Sequence, residues 1–256
     1  MPRRARLRLA ASLLLLAALG ACARPEPEVA RAAPVAPPLS EETRAMYAAR
    51  TDGEREMPAI EDRWLSDEKA RREVDYWTDE KPGTIVVDPW ANRLYYVLGD
   101  NRAIRYTVGV GKDGKGFAGE GTIPYTREWP RWTPTPEMLE RDPDLYEPHR
   151  GGMEGGPGNP LGARALYLFQ DGKDTLYRIH GTPYPWTVGE ADSSGCVRLF
   201  NQDADDLYQR VRSGTKVVVL GEAESGRGTL PPGAVLPPAA DLLTSAPAPS
   251  NTGDRT

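Results

Sequence analysis

Two side chains stand out for the chemistry their types allow. They are His180 and, sixteen positions later, Cys196, within the stretch RIHGTPYPWTVGEADSSGCVRLF from Arg178 to Phe200. A thiol that attacks an acyl carbon needs a base to take its proton and amide donors for the oxyanion that develops. A free cysteine is only a few per cent thiolate at neutral pH, and a nearby imidazole or a cradle of backbone N–H groups raises that fraction. Gly181 and Thr182 follow the histidine, where a strand can leave its sheet abruptly, and Ser193-Ser194-Gly195 leads into the cysteine. Spacing alone does not bring two side chains together, so other uses stay open. Cys196 can be a small buried apolar residue. Zinc would need three or four ligands, and a chain with two histidines and two cysteines offers little beyond His149. No metal is expected.

The other cysteine, Cys22, belongs to the start of the chain. Arg3, Arg4, Arg6 and Arg8 precede an apolar run from Leu9 to Leu19, which is short for a membrane span and suits the core of a signal peptide. The following Leu19-Gly20-Ala21-Cys22 resembles the lipobox of bacterial lipoproteins, whose cysteine is lipidated after cleavage. Cys196 is then an unpaired thiol in an exported protein, where cysteines usually form disulfides. The expected location is the periplasmic face of the cell envelope, anchored at Cys22. Ala23 lacks an acidic retention signal, which favours the outer membrane. Net charge is −5 with no basic block beyond the signal, which excludes nucleic acid as a partner.

The positioning elements follow from pattern. Residues 1–21 read as signal peptide, and 22–82 as a Pro-rich tether followed by helices over Ser40–Arg50 and Ser66–Trp77 that lie on the surface or lean against the domain through Trp64, Tyr76 and Trp77. A folded domain is expected over 83–220, about 140 residues. Thr84–Asp88, Arg93–Leu98, Ala103–Val108, Ala163–Phe169, Thr175–His180 and Lys216–Leu220 are β-branched or aromatic runs parted by turn residues. Thr135-Pro136-Glu137 signals a short helix. Asn201–Arg212 predicts a helix capped by Asn201, with Ala204, Leu207, Tyr208 and Val211 on one face. Beyond Gly221, Pro, Ala, Gly and Ser predict a disordered tail over 221–256. The expected fold is mostly β, a single sandwich or barrel-like domain with one or two short helices.

Taken together, His180-Gly181-Thr182 and Ser193-Ser194-Gly195-Cys196-Val197-Arg198 resemble the signature of the L,D-transpeptidases of the YkuD type. Asn159-Pro160-Leu161-Gly162, the helix after the cysteine and the closing strand suit the same domain. The resemblance implies Cys196 as nucleophile, His180 as proton acceptor, the Gly181 carbonyl as the group orienting the imidazole, and the amides of Gly195 and Cys196 as oxyanion donors. Ser193 and Ser194 would shape the loop beside the substrate. Arg198 either meets an acidic substrate group or ties the loop down. Met153 and Glu154 of the glycine-rich loop, with Trp186, are the expected substrate contacts. Family members commonly carry histidine where this chain has Ser194, a position that contributes mainly its amide, so activity is expected to survive.

The implied reaction is cofactor-free peptidoglycan cross-linking by a monomer acting on stem peptides. Water as acceptor would make it an L,D-carboxypeptidase or cleaving enzyme, and a protein acceptor would attach that protein to the wall. An anchored peptidoglycan-binding lipoprotein is the non-enzyme reading.

Overall fold

The computed structural model describes residues 38–111, 117–190 and 195–234. Residues 1–37 with Cys22, residues 191–194 with Ser193 and Ser194, and the chain beyond 234 lie outside the described residues. No helix among those described is long and apolar enough to cross a membrane. Residues from Leu39 onward form one compact unit.

In chain order the strands are β1 (Arg50–Asp52), β2 (Arg55–Met57), β3 (Arg72–Asp75), β4 (Ile85–Asp88), β5 (Arg93–Gly99), β6 (Arg102–Thr107), β7 (Gly109–Val110), β8 (Gly119–Ile123), β9 (Thr126–Glu128), β10 (Arg164–Gln170), β11 (Lys173–Thr182), β12 (Val197–Phe200) and β13 (Thr215–Val219). The helices are α1 (Glu41–Met46), α2 (Pro136–Arg141), α3 (Pro143–Tyr146) and α4 (Asn201–Arg210). β1 and β2 make a small hairpin. The main sheet runs β3-β6-β5-β4-β13-β8-β10-β11-β12-β7, with β9 also on β10.

The sequence expectation of a mostly β domain holds, and burial explains why those runs become strands. Ile85 and Val87 of β4 and Val217 and Val219 of β13 face one core, while Val86, Val218 and Leu220 face a second cluster with Tyr76, Tyr95 and Val97. Strands covered on both faces read as continuous aliphatic runs. The first core also takes Tyr106 and Val108, Leu166 and Leu168, Ile179, Val197 and Leu199, from strands far apart in the sheet order. A sheet whose distant strands share one core must curl. Ala204 and Leu207 of α4 close that core from one side.

Three expectations need correction. Residues 66–77 do not form a helix: Arg72–Asp75 is an edge strand antiparallel to β6. Nor is Ser40–Arg50 one helix: α1 ends at Met46 and Arg50 begins β1, and the segment from Leu39 leans on the domain. Tyr47, Ile60 and Ala70 pack with Val188 and Phe200, and the Tyr47 and Phe200 rings meet edge to face at 5.4 Å. The buried carboxylate of Asp203 accepts from the Tyr47 hydroxyl at 2.9 Å and from Arg71 at 2.9 Å, and Gln202 donates to the carbonyls of Tyr47, Ala48 and Pro58. Finally, residues 221–234 pack on the domain, whereas the rest of the expected tail lies outside the described residues. Asp88 accepts from Ser225 and from the Gly226 amide, and the Trp77 amide donates to the Gly228 carbonyl at 2.8 Å.

Candidate active site

β11 and β12 are parallel neighbours, with His180 opposite Arg198 and Ile179 opposite Val197. Adjacent parallel strands need a crossover of about a dozen residues or more, which accounts for the long spacing between histidine and cysteine. Side chains alternate along a strand. Ile179, Val197 and Leu199 therefore enter the core, and His180 and Arg198 emerge on the other face, with Cys196 two residues ahead of Arg198. The sheet register thus places base, thiol and cation together.

All three line one cleft of about 220 Å³, walled by Trp132, Met138, Leu145, Tyr146, His149, Met153, Pro160, Leu161 and Tyr184. α2 and α3 supply much of that wall. Thr135 caps α2 by accepting from the Met138 amide, and Pro136 stands at its first position, as the sequence indicates. An antiparallel bridge joins Trp132 to Met153. Met153 lines the cleft. Its neighbour Glu154 does not; it is exposed and paired with Arg131. Trp186 also stands outside the cleft, half exposed, between Tyr184 and Trp64.

His180 is 4% exposed, and its Nδ1 lies 2.5 Å from the Gly181 carbonyl oxygen. A carbonyl can only accept, so Nδ1 carries the proton and Nε2 keeps its lone pair. Burial lowers the histidine's pKa to about 4, aided by the charges of Arg198 and Arg178 and opposed by the Gly181 contact. Burial also pushes the Cys196 thiol up, against the neighbouring Arg178 and Arg198 charges. The resting pair is therefore neutral thiol and neutral imidazole, the thiol directed at the Leu176 carbonyl at 3.9 Å. Gly195 is buried with φ 117°, a backbone conformation that favours glycine. Among the described residues, no cluster of three or more His, Cys, Asp or Glu side chains could hold a metal ion.

One residue that positions the histidine was assigned another task by its sequence context. Asn201 does not cap α4, whose N-cap is Phe200 without a side-chain bond. Its Oδ1 instead accepts from the buried Ala163 amide at 2.9 Å and lies against Gly162 and Gly181, where any Cβ would overlap it. Gly181 is thus glycine for close approach rather than for φ. Asn201→Ala leaves the Ala163 N–H buried without a partner, expected to cost about 1–3 kcal/mol. Thermal unfolding reads the loss, and acylation should slow as the Gly181 carbonyl and His180 shift.

Comparison with known proteins agrees with this geometry. Residues 82–219 match the YkuD family, described as the L,D-transpeptidase catalytic domain. Probable L,D-transpeptidase YbiS of Escherichia coli (strain K12) is 37% identical over 141 residues, 54% of this chain and 44% of the relative. Probable L,D-transpeptidase ErfK/SrfK of the same strain is 33% identical over 141 residues, with the same two shares. The chain thus spans less than half the length of either. A crystal structure from Brucella melitensis, described as a probable carnitine operon oxidoreductase, is 53% identical. It covers 62% of this chain and 98% of that one, at a TM-score of 0.43. At that score the overlap carries no weight, and the oxidoreductase description stays with that protein. By the span of the match, this chain belongs to the YkuD family of L,D-transpeptidase catalytic domains.

Proposed function

We propose that the protein is a cysteine-dependent L,D-transpeptidase of peptidoglycan, anchored through Cys22 at the periplasmic face of the envelope, with the outer membrane favoured, and working as a monomer. The observation that carries this reading is the shared cleft of His180, Cys196 and Arg198, with the imidazole held in the proton-accepting tautomer.

Cys196 Sγ attacks the carbonyl carbon of the L-centred third residue in a tetrapeptide stem while its proton passes to His180 Nε2. The amides of Gly195 and Cys196 donate to the oxyanion. Collapse breaks the C–N bond to the terminal D-Ala, whose amine takes the proton back from His180, leaving a thioester. An amine from a neighbouring stem then attacks, gives its proton to His180, and expels the sulfur, which is reprotonated. Arg198 offers a positive charge in the cleft for a substrate carboxylate. Ser193 and Ser194 precede Gly195 in the sequence. No cofactor enters the scheme.

The neutral pair sets the pH dependence. His180 loses its basic form only as pH falls through about 4, so acylation is expected to stay level from about pH 5 to 8 and to fall below that range. Rates of covalent inactivation across pH measure this. An inflection near the ordinary imidazole value would contradict it.

The test of function is digestion of tetrapeptide-rich peptidoglycan with the enzyme and identification of products. Dimers joined third residue to third residue, with free D-Ala, are expected. Trimmed tripeptides without dimers would overturn the transferase reading in favour of a carboxypeptidase.

A further inference from the structure

We propose that a row of aromatic rings leading out of the cleft, two exposed and the third half-buried, is a platform for the glycan strand that carries the stem peptide, taking N-acetylated hexosamine units by stacking. This deepens the reading above and rests on it. Three rings make the row. Tyr184 lines the cleft beside Cys196. Trp186 follows, its ring centroid 5.4 Å from that of Tyr184, and Trp64 comes next at 5.9 Å from Trp186. Tyr184 and Trp186 are 40% and 50% exposed, a large apolar surface to leave in water.

The rings are held in place. The short 3-10 turn Pro185–Thr187 carries Trp186, and Thr187 returns both its amide and its hydroxyl to the Tyr184 carbonyl. The Tyr184 amide donates to Thr182 Oγ1 at 3.1 Å. Trp64 packs on the Tyr47, Val188 and Phe200 cluster. Rigid aromatic surfaces lose little entropy on binding. At the far end Arg63 lies over one face of Trp64, its guanidinium 5.0 Å from the ring centroid, with its ion-pair partner Glu61 beside it. Flat apolar rings bordered by charged hydrogen-bonding groups match a pyranose, which has an apolar C–H face and a rim of hydroxyl and amide groups.

Continuity with the cleft identifies the occupant. A stem peptide whose carbonyl lies at Cys196 is joined to a glycan outside the cleft, and Tyr184 belongs both to the cleft wall and to the row. A membrane surface also attracts tryptophan and tyrosine, but the acidic balance of the chain, −5, repels anionic headgroups. Trp64 lies outside the span of the family match, so the platform joins the catalytic domain to this chain's own N-terminal segment.

Titrating the full-length protein with chitohexaose, followed by tryptophan fluorescence, tests the platform. Saturable binding is expected for wild type, weakened at least about tenfold by Trp64→Ala with Trp186→Ala. Trp186→Phe, which keeps a ring and the fold, should retain most of the affinity. Tyr125→Ala, exposed but away from the row, should bind as wild type. No saturable binding by wild type would overturn the platform, as would equal binding by the double variant. So would a fluorescence shift with phosphatidylethanolamine–phosphatidylglycerol vesicles but not with the sugar. A carbapenem mass adduct, read in the same preparation, separates the two claims. Adduct without sugar binding removes the platform alone, whereas absence of adduct removes the reading of the cleft.

Discussion

Replacing His180 with asparagine is expected to slow acylation of Cys196 by about a hundredfold to ten-thousandfold, with little change in the unfolding midpoint. The asparagine amide can still donate to the Gly181 carbonyl, as Nδ1–H does, so the strand end keeps its bond. Only the basic Nε2 is lost. Because burial raises the thiol's pKa, Cys196 then lacks a base and holds less thiolate than an exposed cysteine at neutral pH. Recovery at high pH, as hydroxide replaces the missing base, would show that the loss is one of proton transfer. Stopped-flow acylation by a carbapenem measures both. A loss smaller than about tenfold would mean that another group takes the proton.

Deleting residues 38–78 is expected to remove most of the stability of the remaining chain, although the family match begins only at residue 82. The deletion uncovers Val188 and Phe200 and strips Asp203 of Tyr47 and Arg71. A buried charge left without its partners costs about 3–5 kcal/mol, and lost apolar cover adds to that. Small domains have about 5–15 kcal/mol in all. Urea unfolding of the shortened chain should show a collapsed or absent transition. Since a truncated chain can fail for several reasons, Tyr47→Phe with Arg71→Met isolates the Asp203 contribution and is expected to lose about 3–5 kcal/mol by itself. A shortened chain as stable as the full one would contradict this role.

The contrast between these two sites explains what could be read in advance. His180, Gly181, Gly195, Cys196 and Arg198 lie in a single stretch whose residue types report their environment directly. Strand alternation then sorts the stretch into core and cleft faces. Likewise the aliphatic runs of β4 and β13 were legible because full burial leaves no polar face to disguise them. The N-terminal buttress was not. Arg72, Glu73, Val74 and Asp75 form a charged edge strand, and charges at an edge are common protection against further pairing, yet in sequence they resemble a polar helix. Asp203 reads as a helix N-terminal charge, and only its long-range partners reveal it as a docking point.

The cleft shows the same limit on a smaller scale. Met153 and Glu154 are adjacent, but the bridge between Trp132 and Met153 sends one inward and leaves the other outside. Met138, Leu145 and Tyr146 join the wall only because the two short helices after Thr135 fold over it. Tertiary placement decides those contacts, and no local pattern carries it. Asn201 is a further case: a favourable capping residue by type, drawn instead to an amide 38 positions away.

The most direct test of the central claim is the intact mass of the protein after brief exposure to a soluble tetrapeptide stem. Wild type should gain the mass of the stem less D-Ala, as a thioester that hydroxylamine removes, and Cys196→Ala should gain nothing. An adduct that persists in Cys196→Ala, or resists hydroxylamine, would contradict Cys196 as the nucleophile.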